Sequence, residues 1–98
     1  MLDLTWLTIH ELGARYRCGE ATPSQVLQAY LARIETLDPK LRAYVTVTRE
    51  HALAQAEAAD KRMKAGTSWG LLDGVPLAIK DVICTKGVRT TCSSKILE

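Results

Sequence analysis

Residues 72–83 read Leu-Asp-Gly-Val-Pro-Leu-Ala-Ile-Lys-Asp-Val-Ile, and this stretch says most about the fold. Asp73-Gly74 and Pro76 are turn signals. From residue 75 to residue 83 the chain is almost continuously apolar, which is typical of a strand buried on both faces of a parallel or mixed sheet. Proline is tolerated near the start of such a strand, where no ladder donor is needed. We therefore predict a strand over 75–83 and an α/β fold.

Lys80 is the polar exception inside this apolar run. In an extended strand it shares a face with Ala78 and Val82. An unpaired buried ammonium is costly, so burial favours the neutral amine, which can accept a proton from a hydroxyl nucleophile. The alternative is that the strand emerges at Lys80 and the ammonium reaches solvent. Position alone favours this second interpretation.

The chain before residue 66 is predicted to be mainly helical. Thr8 and Glu11 form a capping box, which indicates a helix over 8–18. The sequence Thr-Pro-Ser-Gln at 22–25 combines an N-cap with a proline in the first turn and predicts a second helix over 23–37. We expect Asp38-Pro39 to end that helix, because proline disfavours helical backbone in the residue before it.

A short strand and a third helix follow. Residues 43–48 read Ala-Tyr-Val-Thr-Val-Thr, and this β-branched composition favours a strand. Thr48 is expected to cap a helix that runs to about residue 65, with Gly66 as its C-cap. The chain is thus divided into a helical part over 8–65 and a strand and turn segment over 70–98.

Composition and charge exclude several classes of protein. The 98 residues are 47% hydrophobic and 24% charged, as in globular domains and unlike disordered chains. The net charge of +2 comes from interspersed residues without a basic stripe, which disfavours a nucleic-acid-binding module. No apolar stretch approaches the roughly 20 residues of a membrane span. The first residues lack the basic region of a signal peptide, so no membrane association is expected.

The cysteines and histidines do not form a recognisable metal or disulfide pattern. Cys18, Cys84 and Cys92 are odd in number and widely spaced, which predicts reduced thiols in a cytoplasmic protein. His10 and His51 lie alone in predicted helices and are expected to be ordinary helix residues. No metal site is predicted.

Residues 72–81, followed by Thr-Lys-Gly-Val-Arg-Thr-Thr at 85–91, closely resemble the amidase signature family. Residues 92–98 and the upstream Leu-Asp-Pro-Lys-Leu-Arg-Ala-Tyr-Val-Thr-Val at 37–47 resemble one branch of it, the glutamine-hydrolysing subunits of tRNA-dependent amidotransferases. The resemblance is specific around residues 70–97 and weaker before residue 66. It implies that residues 1–98 are the N-terminal portion of an amidase domain, with the helices and first strands of its mixed-sheet fold.

The resemblance also implies a catalytic Ser-cis-Ser-Lys triad. Lys80 corresponds to the lysine of the family pattern G-[IV]-P-[IL]-x-[IV]-K-D and would be the terminal base. It would draw a proton through a bridging serine from a nucleophilic serine, which attacks the side-chain amide of glutamine and releases ammonia.

The partners and cofactors implied belong to a larger complex. Subunits B and C would complete a heterotrimer that uses ATP to convert misacylated Glu-tRNA(Gln) to Gln-tRNA(Gln), a ligase reaction in protein biosynthesis. This chain itself is expected to bind glutamine but no cofactor or metal. The resemblance leaves open whether the tRNA is that for Gln or for Asn.

The sequence departs from the family pattern at two places. Val82 stands where the family usually has Asn after the Lys-Asp pair. The Gly/Ser-rich segment with the nucleophile is expected downstream of Glu98, and Ser93 and Ser94 lack its flanking glycines. We therefore expect the 98-residue chain alone to be inactive, whether it is a truncated gene product or an expressed fragment.

Two alternative functions remain open from the sequence. A stand-alone amidase acting on small amides would share Lys80 and would work without partner subunits. A non-catalytic interaction fragment would use its apolar helix faces to bind another chain, and it would copurify with that partner.

Overall fold

The computed structural model describes residues 4–81, 83, 86–88 and 90–91. A 3-10 turn at Leu4–Trp6 precedes three helices, α1 at Ile9–Cys18, α2 at Pro23–Leu41 and α3 at Arg49–Ala65. None of the described residues forms a β-strand. The described part of the chain is therefore a small helical unit followed by an irregular segment.

Local capping sets the bounds of α1. Thr8 Oγ1 accepts a hydrogen bond from the Glu11 N–H, and the Thr8 N–H donates to Glu11 Oε1, each at 3.1 Å. Gly19 ends the helix in the left-handed conformation at φ 76°. The predicted helix over 8–18 is confirmed, because both signals act within a few residues of the helix end.

The start of α2 is also confirmed, but its predicted end is wrong. Thr22 and Gln25 form the expected capping box, with bonds of 3.1 and 3.2 Å. The helix nevertheless continues through Pro39 to Leu41. Proline costs one helical hydrogen bond but does not forbid another half-turn. Asp38 stabilises this extension, since its carbonyl accepts the Arg42 N–H at 2.7 Å.

The predicted strand over 43–48 is not formed. Asp38 Oδ1 instead accepts the N–H groups of Ala43 and Tyr44 at 2.7 and 3.2 Å. No described segment offers residues 43–48 an edge to pair with, so β propensity alone does not make a strand. Thr48 does precede α3, although its side chain makes no capping hydrogen bond.

The strand predicted over 75–83 is likewise absent from its described residues, 75–81 and 83. The chain instead turns after Lys80, where the Ile83 N–H donates to the Lys80 carbonyl at 3.0 Å. A strand needs a partner, and none of the described residues supplies one. The α/β architecture therefore lies beyond what these residues form.

The hydrophobic core lies where α1 meets the start of α2. Leu12, Tyr16, Ala21 and Val26 are its buried members, and Val26 has no exposed surface. The helices α2 and α3 pack along each other, with small buried residues such as Ala59 on α3. In the described ranges, no helix is both long and apolar enough to cross a membrane.

Candidate active site

Lys80 lies on the irregular segment that leaves the helical core after Gly74. Its side chain is exposed, as are those of Leu77 and Ile79. The buried amine considered from the sequence is therefore not observed in these residues, and the ammonium reaches solvent. What the structure does define is how the segment carrying Lys80 is attached to the helices.

Gly74 is the point at which this segment is attached. Its φ of 83° is left-handed, and its Cα packs against side chains from all three helices. A Cβ at this position would lie 2.8 Å from Pro23 Cγ, 3.0 Å from Met63 Cε and 3.3 Å from Tyr16 Cε2. Only glycine fits both the backbone conformation and the space.

Tyr16 donates a hydrogen bond to this same glycine. Its hydroxyl lies 2.8 Å from the Gly74 carbonyl oxygen, a contact between residues 58 positions apart. Burial raises the pKa of Tyr16 to about 12. The phenol therefore stays protonated, and remains a donor, throughout the physiological pH range.

Asp73, next to Gly74, is bound by Arg62 of α3. The Arg62 Nε and Nη2 atoms donate to the two Asp73 carboxylate oxygens at 2.9 and 2.6 Å. The backbone N–H of Trp69 donates to Oδ2 at 3.0 Å, and the Trp69 ring stacks on the guanidinium with 3.7 Å to its centroid. The Arg62 hydrogen bonds lower the pKa of Asp73 to about 2.

A second attachment follows Lys80 directly. The Thr91 N–H donates to Asp81 Oδ1 at 2.9 Å, and the Thr91 hydroxyl donates to the other carboxylate oxygen. Thr91 is 2% exposed, so this pair is shielded from water. Lys80 thus lies between two fixed points, Gly74 and Asp81.

The structure brings few of the other sequence candidates near Lys80. His10 and His51 are exposed on α1 and α3, and Cys18 is an exposed free thiol. In the part of the chain that the structure describes, no group of three or more His, Cys, Asp or Glu side chains could hold a metal ion. Five residues singled out from the sequence lie outside the described residues: Val82, Cys84, Cys92, Ser93 and Ser94.

Sequence reasoning missed the roles of Tyr16, Arg62 and Asp73. Tyr16 read as one member of an apolar helical stripe, and Asp73 read as a turn residue. The turn is confirmed at residues 71–74. The pairing of each side chain with a distant partner has no local signal, so periodicity and capping rules could not find it.

Comparisons with known proteins identify the family. The amidase family model matches residues 25–98, which is three quarters of the chain. The chain therefore belongs to the amidase family, and the resemblance drawn from residues 72–91 is confirmed.

Individual relatives narrow the similarity to one kind of amidase, the A subunit of glutamyl-tRNA(Gln) amidotransferase. The chain is 54% identical over 97 residues to this protein from Geobacter metallireducens, covering 99% of this chain and 20% of that protein. It is 53% identical over 90 residues to that of Thermosynechococcus vestitus, covering 92% and 19%. It is 50% identical over 98 residues to that of Streptomyces coelicolor, covering 100% and 20%.

The chain thus spans about a fifth of the length of these relatives, and the match lies in their N-terminal part. No solved structure shows significant similarity to it.

Proposed function

We propose that this chain is the N-terminal portion of the glutamine-hydrolysing subunit of a tRNA-dependent amidotransferase, with Lys80 as its terminal base. The observation that carries the proposal is the identity of 50–54% to proteins named as the A subunit of such an enzyme, over at least 97 residues in two of them. The Gly-Val-Pro-Leu-Ala-Ile-Lys-Asp motif at 74–81 lies inside the region matched by the amidase family.

In the proposed reaction, Lys80 accepts a proton relayed by a bridging serine from the nucleophilic serine. The serine oxygen attacks the glutamine side-chain amide carbon, and the amide nitrogen takes up the proton and leaves as ammonia. Water then hydrolyses the glutamyl ester and regenerates the serine. Both serines would come from sequence outside these 98 residues.

The exposed surface around Lys80 supports this division of the site. Leu77 is 83% exposed, and Ile79 and Ile83 are each more than half exposed. A row of exposed apolar side chains is typical of a segment that another part of a protein covers. We infer that residues 75–83 become a central strand of the mixed α/β sheet once the rest of the domain is present. The same covering would desolvate Lys80 and favour its neutral, proton-accepting form.

The names of the relatives also carry a proposal about partners. The ammonia would pass to subunits B and C of a cytoplasmic heterotrimer, which would use ATP to amidate Glu-tRNA(Gln). Within this scheme the present chain contacts glutamine chemistry only through Lys80, and ATP and tRNA bind elsewhere in the complex.

A chimera tests the proposal. This chain replaces the matching 97-residue segment of the Geobacter metallireducens protein, which is coexpressed with its partner subunits and assayed for glutamine hydrolysis. We expect an active chimera in which Lys80→Ala lowers kcat by roughly three orders of magnitude or more, as loss of a triad member does. Lys86→Ala is the matched control, since Lys86 is an exposed lysine on a nearby turn.

Three outcomes would contradict the proposal. The first is an inactive unmutated chimera. The second is a Lys80→Ala chimera that turns over as fast as the Lys86→Ala control. The third is a glutaminase rate above buffer from the 98-residue chain alone that is lost in Lys80→Ala, because a base without its nucleophile cannot form the acyl intermediate.

A further inference from the structure

We propose that Tyr16 is a positioning residue for Lys80, which it places by holding the backbone of Gly74. The inference rests on the proposed role of Lys80 and extends it to a residue of α1 that lies outside the catalytic motif. Tyr16 touches neither substrate nor Lys80, and its effect is transmitted along residues 75–79.

The first support is the hydrogen bond itself. The Tyr16 hydroxyl donates to the Gly74 carbonyl at 2.8 Å, and only 8% of Tyr16 is exposed. A buried hydrogen bond of this kind is shielded from competition by water. Gly74 is therefore tied to α1 directly, in addition to its neighbour's ion pair with α3.

The second support is the space around Gly74. Pro23, Met63 and Tyr16 all come within 3.3 Å of the position that a Cβ would occupy, so the glycine is enclosed by one side chain from each helix. Its left-handed φ of 83° also sets the direction in which the chain leaves the core. The start of the Lys80 segment is thus defined in both position and direction.

The third support is that the segment is short and is held again at its far end. Lys80 follows Gly74 closely in the sequence, so even a fully extended chain between them reaches at most about 20 Å. Asp81, the next residue, is bound by the buried Thr91. An error at Gly74 is therefore not absorbed by a long flexible linker.

The test compares two tyrosine-to-phenylalanine variants in the chimera described above. Tyr16→Phe removes the hydroxyl that binds Gly74 and keeps the ring in the core. Tyr30→Phe is the matched control, because the Tyr30 hydroxyl also donates to a backbone carbonyl, that of Thr5 at 3.4 Å. Active sites are counted by complete titration with a glutamine-analogue chloroketone that alkylates the nucleophile, so that a smaller folded fraction does not lower the measured kcat.

We expect Tyr16→Phe to lower kcat per active site by roughly tenfold to a hundredfold, the cost of a small misplacement of a catalytic group. The KM for glutamine should stay within about twofold, because binding contacts are unchanged. Tyr30→Phe should leave both constants within about twofold of the unmutated chimera. Amide hydrogen exchange at residues 75 and 77–80 should be faster in Tyr16→Phe alone.

Two results would overturn the inference while leaving the proposed function intact. One is an equal kcat per active site in the two tyrosine variants, with Lys80→Ala still inactive. The other is a lower thermal stability of Tyr16→Phe with no change in kcat or in exchange at 75–80. If Lys80→Ala itself remains active, the proposed function fails, and the role inferred for Tyr16 fails with it.

Discussion

Arg62 and Asp73 form a bidentate ion pair in which the carboxylate is almost entirely shielded from water. The side chain of Asp73 is 4% exposed and that of Arg62 is 19% exposed. The Trp69 ring covers one face of the guanidinium, and hydrogen-bonded charges in such surroundings are screened only weakly by salt. The pair fastens the turn before Gly74 to the last turns of α3.

This ion pair predicts an acid-sensitive contribution to stability. The pKa of Asp73 is about 2 in the folded chain and 3.8 ordinarily, so the folded state binds the proton less readily than the unfolded state. The contribution is therefore complete above about pH 4 and is lost as the pH falls towards 2. We expect Asp73→Asn to lower Tm by several degrees at pH 7 and to flatten the decline of Tm between pH 4 and pH 2, measured by circular dichroism.

Glu57→Gln is the control for this experiment, since it removes one carboxylate from an exposed position of α3. It should leave both Tm at pH 7 and the slope below pH 4 close to those of the unmutated chain. An Asp73→Asn chain whose Tm declines as steeply as the parent below pH 4 would show that the ion pair does not stabilise the fold.

The glycine at position 74 predicts a large cost for a single methyl group. Gly74→Ala adds a left-handed alanine and a Cβ that overlaps Pro23 and Met63, so we expect a loss of about 2–5 kcal/mol in the free energy of unfolding. Gly19→Ala is the matched control, because Gly19 has φ 76° and no described atom within 4 Å of the added methyl. It should cost only about 1–2 kcal/mol. Equal losses in urea denaturation would mean that the packing around Gly74 is loose.

The contact between α2 and α3 depends on Asp60. Its carboxylate accepts the Ser24 N–H at 3.1 Å and the Ser24 hydroxyl. Asp60→Ala should lower the free energy of unfolding by about 1–3 kcal/mol, as expected for hydrogen bonds to a charged acceptor. Glu57→Ala, one turn away and exposed, should change it by no more than about 0.5 kcal/mol.

A double-mutant cycle checks that this loss reflects the Ser24–Asp60 contact itself. Ser24→Ala and Asp60→Ala should be non-additive by about 0.5 kcal/mol or more. Additive losses would show that the two side chains stabilise the chain independently.

The exposed apolar segment predicts self-association of the 98-residue chain. Trp69, Leu71, Leu72 and Leu77 are each more than two thirds exposed, and such patches mark surfaces that become covered. Sedimentation velocity should show larger species as concentration rises, with helical circular dichroism retained. Leu77→Lys should reduce this association, whereas Leu41→Lys, at an exposed leucine of α2, should not. A monodisperse parent chain at all concentrations would contradict the proposal that residues 75–83 require further sequence to be covered.

The helices could be predicted from the sequence because their signals are local. Thr8, Thr22 and Gly66 act on backbone groups within one turn of themselves. The end of α2 could not be predicted in this way, because the penalty at Pro39 is offset by bonds from Asp38 to residues 42–44, which no dipeptide rule contains. The strand over 43–48 failed for a different reason, since a strand forms only where a partner edge exists.

The candidate site divides in the same way. Lys80 could be identified because the residues around it form a contiguous motif. Its attachment to the helices could not, because Tyr16 and Gly74 are far apart in sequence and nothing in either neighbourhood indicates the other. Burial at a junction of three helices is a property of the fold and has no counterpart in composition or periodicity.

The distance in sequence between Tyr16 and Gly74 also has a consequence for biosynthesis. The ribosome delivers the N-terminal helices first, and their capping interactions are complete before residue 74 is added. Until then, the apolar surfaces of Tyr16, Pro23 and Met63 that later enclose Gly74 are open to solvent in the nascent chain. Closure of this junction therefore has to wait for the exit tunnel to release residue 74, and a pause in translation before that point prolongs the period in which chaperones bind the emerging chain.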